Sequence, residues 1–505
     1  MMAESHDASG QKKNILFLIA DDLGKYLNCY GAKNIKTPNI DLLASQGTQF
    51  DMAFTSTASC SASRSVMYTG LHTHQNGQYG LACERHHFAT FDYIETVPAV
   101  FNSLGYQTGI IGKVHVGPAS SYPWEIREES GSRNVGWVAD RAESFFEKAK
   151  ETDRPFHLTV GYIDPHRDLT RSGFGNEDFG DARVKVTQVQ PEDVEIPPFL
   201  NDIPEVRTEL VEYYQSIQRL DAGVGLILNA LERQGLSDNT LVCFVSDNGA
   251  PFINSKTTLY DAGIRLPVII RAPQSKGGVV SPNMISYIDF FPTLLDWTGS
   301  KGYKLSENSR SPPRLGTSFL QILDATELLP EDKWQHHVFG SHTFHEVQNY
   351  WPTRYLRSRR YKYHRNLAWR LDFPFASDMY GSLSWDGIRN TPPPVMLGPR
   401  SLKNYIWRPQ EELYDMDNDP QEVNNLAQNK EYENVVREYR ARLEAWQLKT
   451  NDAWLYRDSV SVAMNQHHIA AGLKIPDRFE IDVDNPGNRG VALWSPENVQ
   501  SHPSA

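Results

Sequence analysis

Two acidic clusters stand where hydrophobic runs stop. Asp21 and Asp22 follow the mostly apolar segment Asn14 to Ala20, and Ser246, Asp247 and Asn248 follow Thr240 to Val245. Runs of this kind read as parallel strands buried on both faces. Carboxylate and amide oxygens delivered at strand ends suit a hard cation, calcium or magnesium. An Asp-Asp pair alone is often just a helix cap. Here, however, a third string lies between the two clusters: Cys60-Ser61-Ala62-Ser63-Arg64, followed by Ser65-Val66-Met67-Tyr68-Thr69-Gly70. A lone cysteine is more often a small buried hydrophobe than a nucleophile, so the chemistry of Cys60 has to be argued from the residues around it.

The elements that must bring these groups together follow one grammar. Residues Arg207 to Arg233 carry apolar side chains at helical spacing, including Leu210, Tyr213, Tyr214, Ile217 and Leu220, and Gly235 is a stop signal. Strand, helix, strand, with polar groups gathered where strands end, predicts an α/β sheet with its site at the carboxyl edge. The 505-residue length allows one large domain and a smaller one. From about Tyr350 the texture changes to Arg- and Tyr-rich alternation, then aromatic and proline-rich stretches, then a polar helical pattern from Asn429 to Lys449. We therefore expect a catalytic domain over residues 1–350 and a smaller α+β domain over 351–505, whose tail after Asp458 wraps the surface. The basic run Arg354, Arg357, Arg359, Arg360, Lys362 and Arg365 reads as the solvated face of a hairpin, with Tyr361 and Tyr363 turned inward.

Composition excludes several classes. A formal charge of -12 argues against a general nucleic-acid binder, which gains affinity from cationic contacts to phosphate. The first residues are polar, and the apolar run Ile15 to Ala20 is far shorter than a membrane span or a signal-peptide core. Four cysteines make no disulfide framework in a chain of this length, and no Asn-x-Ser/Thr sequon is present. The expected address is therefore cytoplasmic or intracellular, with no membrane attachment. Asp415-x-Asp417-x-Asp419 begins like an EF-hand, but Pro420 and Leu426 replace the required glycine and glutamate. Gly223-Val224-Gly225 lacks the third glycine of a dinucleotide loop, and His345-Glu346 lacks a second histidine at zincin spacing.

The Cys60 string resembles the signature of the type I sulfatases, in which a separate enzyme oxidises the cysteine to formylglycine and the arginine lies one helical turn on. Ala62 stands where the commonest form of that signature has proline; alanine is a known variant. LIADDLG around Asp21 and Asp22 is similar to the family's first metal-binding segment, and FVSDNGAPF around Asp247 and Asn248 to its second. Lys113 and His115 in GIIGKVHVG, His166 in DPHRD, and Lys256 match the family pattern position by position. ELYDMDNDPQEVNNLA (Glu412 to Ala427) looks like its C-terminal segment, so the resemblance covers nearly the whole chain.

The resemblance implies an alkaline-phosphatase-like fold: a large mixed, mostly parallel sheet flanked by helices, with a smaller C-terminal domain built on an antiparallel sheet. It implies a cation, calcium or alternatively magnesium, held by Asp21, Asp22, Asp247, Asn248 and an oxygen of the modified Cys60. The hydrated aldehyde, activated by the cation and Asp247, would attack sulfur, splitting one hard displacement into two steps. Arg64 would fix that nucleophile, and Lys113 and Lys256 would hold the sulfuryl oxygens. His166 would protonate the leaving atom, and His115 would deprotonate the remaining hydroxyl so that sulfate leaves.

Within the family, FTSTASCSASRS leading to GLHTHQNGQYGL, then GIIGKVHVGP, DPHRD and FGSHTFHEV look closest to the N-sulfoglucosamine sulfohydrolases. That kinship implies a small sulfated sugar as substrate and a formylglycine-generating enzyme as partner. Glu346 matches the position suited to bind a nascent ammonium, and Asp164, Arg167 and His345 are further candidates for sugar contacts. The alternative for Glu346 and His345 is capping of a strand in the smaller domain. Competing functions are an aryl or alkyl sulfatase, a phosphate or phosphonate ester hydrolase of the same superfold, and a silent glycan-binding protein with Cys60 left as a thiol. Assembly as a homodimer is left open.

Overall fold

The computed structural model describes residues 13–455, apart from 84, 169–172, 178–180 and 305–309, together with residue 470. Most of the polar start and almost all of the tail after Asp458 lie outside the described residues.

The central strand Asn14–Ala20 is buried at every position. Its side chains alternate between two cores. Leu16, Leu18 and Ala20 join one core, with the helices Pro38–Ser45, Val135–Glu151 and Pro204–Arg233; Ile15, Phe17 and Ile19 join the other, with the helices Cys60–Thr69 and Phe290–Trp297. Two-sided burial explains why this strand reads as a continuous apolar run rather than an alternating one. Each fully buried Leu, Ile or Phe on it stabilises the sheet by about 1.5–3 kcal/mol.

The eight strands run in the order Ile126–Glu129, Gln107–Gly112, Phe156–Gly161, Asn14–Ala20, Thr240–Ser246, Val268–Arg271, Thr48–Phe50 and Val279–Ser281. Val268–Arg271 is antiparallel to both its neighbours, and every other pairing is parallel. This is the expected mixed, mostly parallel sheet between helical layers.

A second, four-stranded sheet is antiparallel throughout: His337–His342, Thr353–Ser358, Tyr361–Asn366 and Glu411–Asp415. The expected hairpin is there, and Arg360 at its turn is solvent-exposed, but most of its basic residues are not solvated. Arg354, Arg357, Lys362 and Arg365 are buried. Arg357 and Lys362 turn inward to the carboxylate of Asp261, and Lys362 also meets Glu422, 2.8 Å away. Buried cations persist only when paired in this way.

The structure separates into one unit running to Tyr439 and another from Arg440 onward. The polar helical pattern appears as the helix Glu433–Lys449. In the second unit, Gln447 Nε2 donates to Asp452 Oδ2 at 2.9 Å just before a short turn, Ala453–Leu455.

Candidate active site

Register brings the two acidic clusters together. Ala20 pairs with Ser246 across neighbouring parallel strands, so Asp21 and Asp247 leave the sheet edge side by side. Cross-strand hydrogen bonds continue past that point: Asp247 N–H donates to Ala20 O, Asp22 N–H to Asp247 Oδ1 (3.1 Å), Leu23 N–H to Ser246 Oγ and Gly24 N–H to Asn248 O. Asp22 takes a left-handed φ of 61°, a turn that aspartate tolerates better than most residues. The next two strands on the same side, Phe156–Gly161 and Gln107–Gly112, end just before His166 and Lys113. Four adjacent parallel strands thus deliver their following residues to one edge.

Cys60 opens the helix Cys60–Thr69, and that helix carries Arg64 one turn in. The Cys60 Sγ lies 3.7 Å from Asp22 Oδ1. Ligand-type atoms of Asp21, Cys60 and Asp247 fall within 4.8 Å of one another, as do those of Asp22, Cys60 and His166. Asp21 Oδ1 and Asn248 Oδ1 are buried and accept no hydrogen bond. Buried oxygens without donors are costly, and a hard cation with oxygen ligands would satisfy them, so these residues fit such an ion.

Cations surround the carboxylates. Arg64 Nε donates to Asp247 Oδ2 at 2.8 Å, and its Nη1 to Lys113 O at 3.0 Å. Gly161 makes room for that guanidinium: a Cβ there would stand 2.1 Å from Lys113 O and 2.8 Å from Arg64 Nη1. Lys113 Nζ pairs with Asp21. Lys256 Nζ donates to Asp22 Oδ2 (2.8 Å), His166 Nε2 (3.1 Å) and Asp378 Oδ2 (2.7 Å). His166 Nδ1 hydrogen-bonds the carbonyl of Arg167, which leaves Nε2 as acceptor for the lysine. His115 has a left-handed φ of 54° and an enclosed Nδ1 that makes no hydrogen bond.

The electrostatics follow from burial and these pairs. Burial would raise Asp21, but Lys113, His166 and Arg64 outweigh it and hold its carboxyl well below the usual range. Burial, then the charge of Asp21, pushes Asp247 up to about 7 despite Arg64. Burial and Asp21 also push the Cys60 thiol well up, so the side chain as encoded is a poor thiolate nucleophile.

The expected sugar contacts are engaged elsewhere. Asp164 is held by both Arg219 and Arg133 and by Ser216 Oγ. Arg167 pairs with Glu209, whose carboxylate also receives the backbone N–H groups of Leu383 and Ser384. Asp164 and Arg167 are thus buried and already held in ion pairs by partners far away in sequence. Glu346 receives Ser377 N–H (3.0 Å), the Ser377 hydroxyl and Gln348 Nε2 (3.0 Å), at the start of the short helix Ser377–Tyr380. His345 Nδ1 meets Ser59 Oγ at 2.9 Å, next to Cys60.

Sequence reasoning missed Asp378. It belongs to the short helix Ser377–Tyr380, in a stretch read only as aromatic and proline-rich, and lies 122 residues from Lys256. Among the site residues, Arg64, Lys256, Asp21, Asp22 and Asp247 are at most 1% exposed. Lys113, His166 and Asp378 reach the surface, at 12%, 26% and 18%, and mark the mouth.

The Sulfatase family model matches residues 13–300. The chain is 37% identical to human N-sulphoglucosamine sulphohydrolase over 465 residues, covering 88% of this chain and 91% of the human protein. It is 29% identical to an ulvan-active sulfatase of Formosa agariphila, over 89% of this chain and 83% of that protein. Among solved structures, BT4656 in complex with its substrate D-Glucosamine-2-N, 6-O-disulfate superimposes with a TM-score of 0.62 at 19% identity, covering 88% of this chain and 99% of that one.

Proposed function

Because this chain belongs to the sulfatase family, we propose that it is a formylglycine-dependent sulfohydrolase that releases sulfate from N-sulfated glucosamine. The observation that carries the chemistry is the meeting of Cys60 with Asp21, Asp22 and Asp247 at one sheet edge. The sugar specificity is supported by the 37% identity that spans 91% of the human enzyme.

Asp21, Asp22, Asp247, Asn248 and an oxygen of the modified residue 60 would hold the cation. Five protein oxygens favour calcium over magnesium, which usually keeps several waters. The oxidised residue supplies an oxygen nucleophile, and the cation supplies Lewis acidity beside it.

The remaining residues act on substrate and protons. Arg64 orients Asp247 through its 2.8 Å bond. Lys113 and Lys256 neutralise the sulfuryl oxygens, an electrostatic contribution made strong by the enclosed site. His166 stands at the mouth with Nε2 facing the reacting groups and accepting from Lys256 Nζ; passing that ammonium proton on through Nε2, it is the proposed donor to the leaving nitrogen, and His115 is the proposed acceptor of the proton at residue 60. In this reading residues 1–350 form the catalytic domain, and the smaller domain from 351 contributes Asp378. No described helix is long and apolar enough to cross a membrane.

The test has two readouts on one preparation. A peptide spanning Cys60 should be lighter by roughly 18 Da than the encoded sequence, whereas sulfur oxidation would add mass. The same protein should release sulfate from N-sulfated glucosamine, and Cys60→Ala should not. Aldehyde-bearing protein that leaves this substrate intact refutes the assignment.

A further inference from the structure

Hydrolysis of a sulfamate has a requirement that ester hydrolysis lacks. The S–N bond breaks with its electron pair left on nitrogen; the nitrogen takes one proton from the enzyme and a further one from water, leaving as an ammonium. A carboxylate facing the mouth would favour that charge.

Three carboxylates of the cluster, Asp21, Asp22 and Asp247, are fully buried and committed to the residue 60 side. Glu346, the acid expected from sequence for this task, spends its oxygens on Ser377 and Gln348. The residue that follows Ser377 is Asp378, whose Oδ2 lies 2.7 Å from Lys256 Nζ and 4.0 Å from His166 Nε2, at the open end of the site. Its Oδ1 accepts only the Met379 N–H among the described hydrogen bonds. An ionised carboxylate offers about four acceptor positions, so Asp378 keeps capacity toward the mouth.

We propose that Asp378 receives the leaving amine, and that Glu346 is a positioning residue that holds Asp378 in place through Ser377. This inference rests on the sulfamate reading above and deepens it. Asp378 thereby distinguishes an amine leaving group from an alcohol, which never acquires positive charge.

Two measurements on the full-length protein test it. Calorimetry at about pH 6 should show wild type binding glucosamine, as its ammonium, about tenfold more tightly than uncharged N-acetylglucosamine, as a partly exposed ion pair with its hydrogen bonds allows. Asp378→Asn should abolish the preference and Asp378→Glu should retain it. In turnover, Asp378→Asn should lower kcat/KM for N-sulfated glucosamine at least about tenfold more than for an aryl sulfate. Equal losses on both substrates would mean that Asp378 merely steadies Lys256, and would overturn the proposal, as would an unchanged binding preference. Wild-type protein that cleaves the aryl sulfate but not the sulfamate would instead sink the parent reading, whatever the variants do.

Discussion

Arg64 Nε lies 2.8 Å from Asp247 Oδ2, with both side chains fully buried. The arginine comes from the helix that begins with Cys60, and the aspartate from the end of a central strand. One ion pair thus ties the residue 60 helix to the acidic edge.

Breaking that pair should be costly twice over. Arg64→Ala leaves Asp247 buried beside Asp21 without its cation, and loss of one partner of a buried pair destabilises by about 3–5 kcal/mol. Denaturant unfolding should show a drop of that size, and sulfate release should fall below detection even in the fraction that stays folded.

Removing divalent cations should lower both activity and stability. A ligand that binds only the native state stabilises by about 2.7 kcal/mol when present at 100 times its dissociation constant. Dialysis against a chelator should therefore lower the melting temperature, and calcium should restore it in wild type but not in Asp22→Asn. An unchanged melting temperature in the chelated wild type would contradict the assigned ion site.

Acid should unfold the protein partly through Asp261. Burial would raise this carboxyl, but Arg357 and Lys362 outweigh burial and hold it well below the ordinary range. A depressed folded value means that the unfolded chain binds the proton first. The stabilisation is therefore complete above the unfolded pKa of about 3.9 and disappears as pH falls from there toward the folded value. Asp261→Asn should be less stable than wild type at neutral pH, with the gap narrowing below about pH 4 in equilibrium unfolding curves.

A methyl group at position 161 should not fit. Its nearest neighbour would be the backbone oxygen of Lys113, which cannot move cheaply, with the Arg64 guanidinium next. Overpacking of this kind costs about 1–3 kcal/mol. Gly161→Ala should lower the unfolding midpoint by a corresponding amount and reduce kcat by displacing Arg64, which thermal melts and initial rates would read separately.

The strands that carry the site were legible because burial on both faces leaves an uninterrupted apolar run, and the acids that end such a run stand out. Lys113, His115, His166 and Lys256 were legible only through family resemblance, since a single lysine or histidine carries no periodicity. Asp378 was not legible at all: its meaning depends on Lys256, which a separate part of the chain supplies. The same limit explains the misreading of the basic hairpin. An arginine that will meet Asp261 inside the fold looks, in sequence, like one that will meet water. Asp164 and Arg167 sat close enough to His166 to suggest a shared task, but Arg219 and Glu209 draw them inward.

The burial of Cys60 also dictates chronology. With its side chain 1% exposed, the folded chain offers no foothold for a second protein at that position. If residue 60 becomes an aldehyde, the oxidation must be finished while the polypeptide is still open, in a race against the closing of the sheet edge. On that premise, a chain that folds before it is oxidised would keep Cys60 as an enclosed thiol.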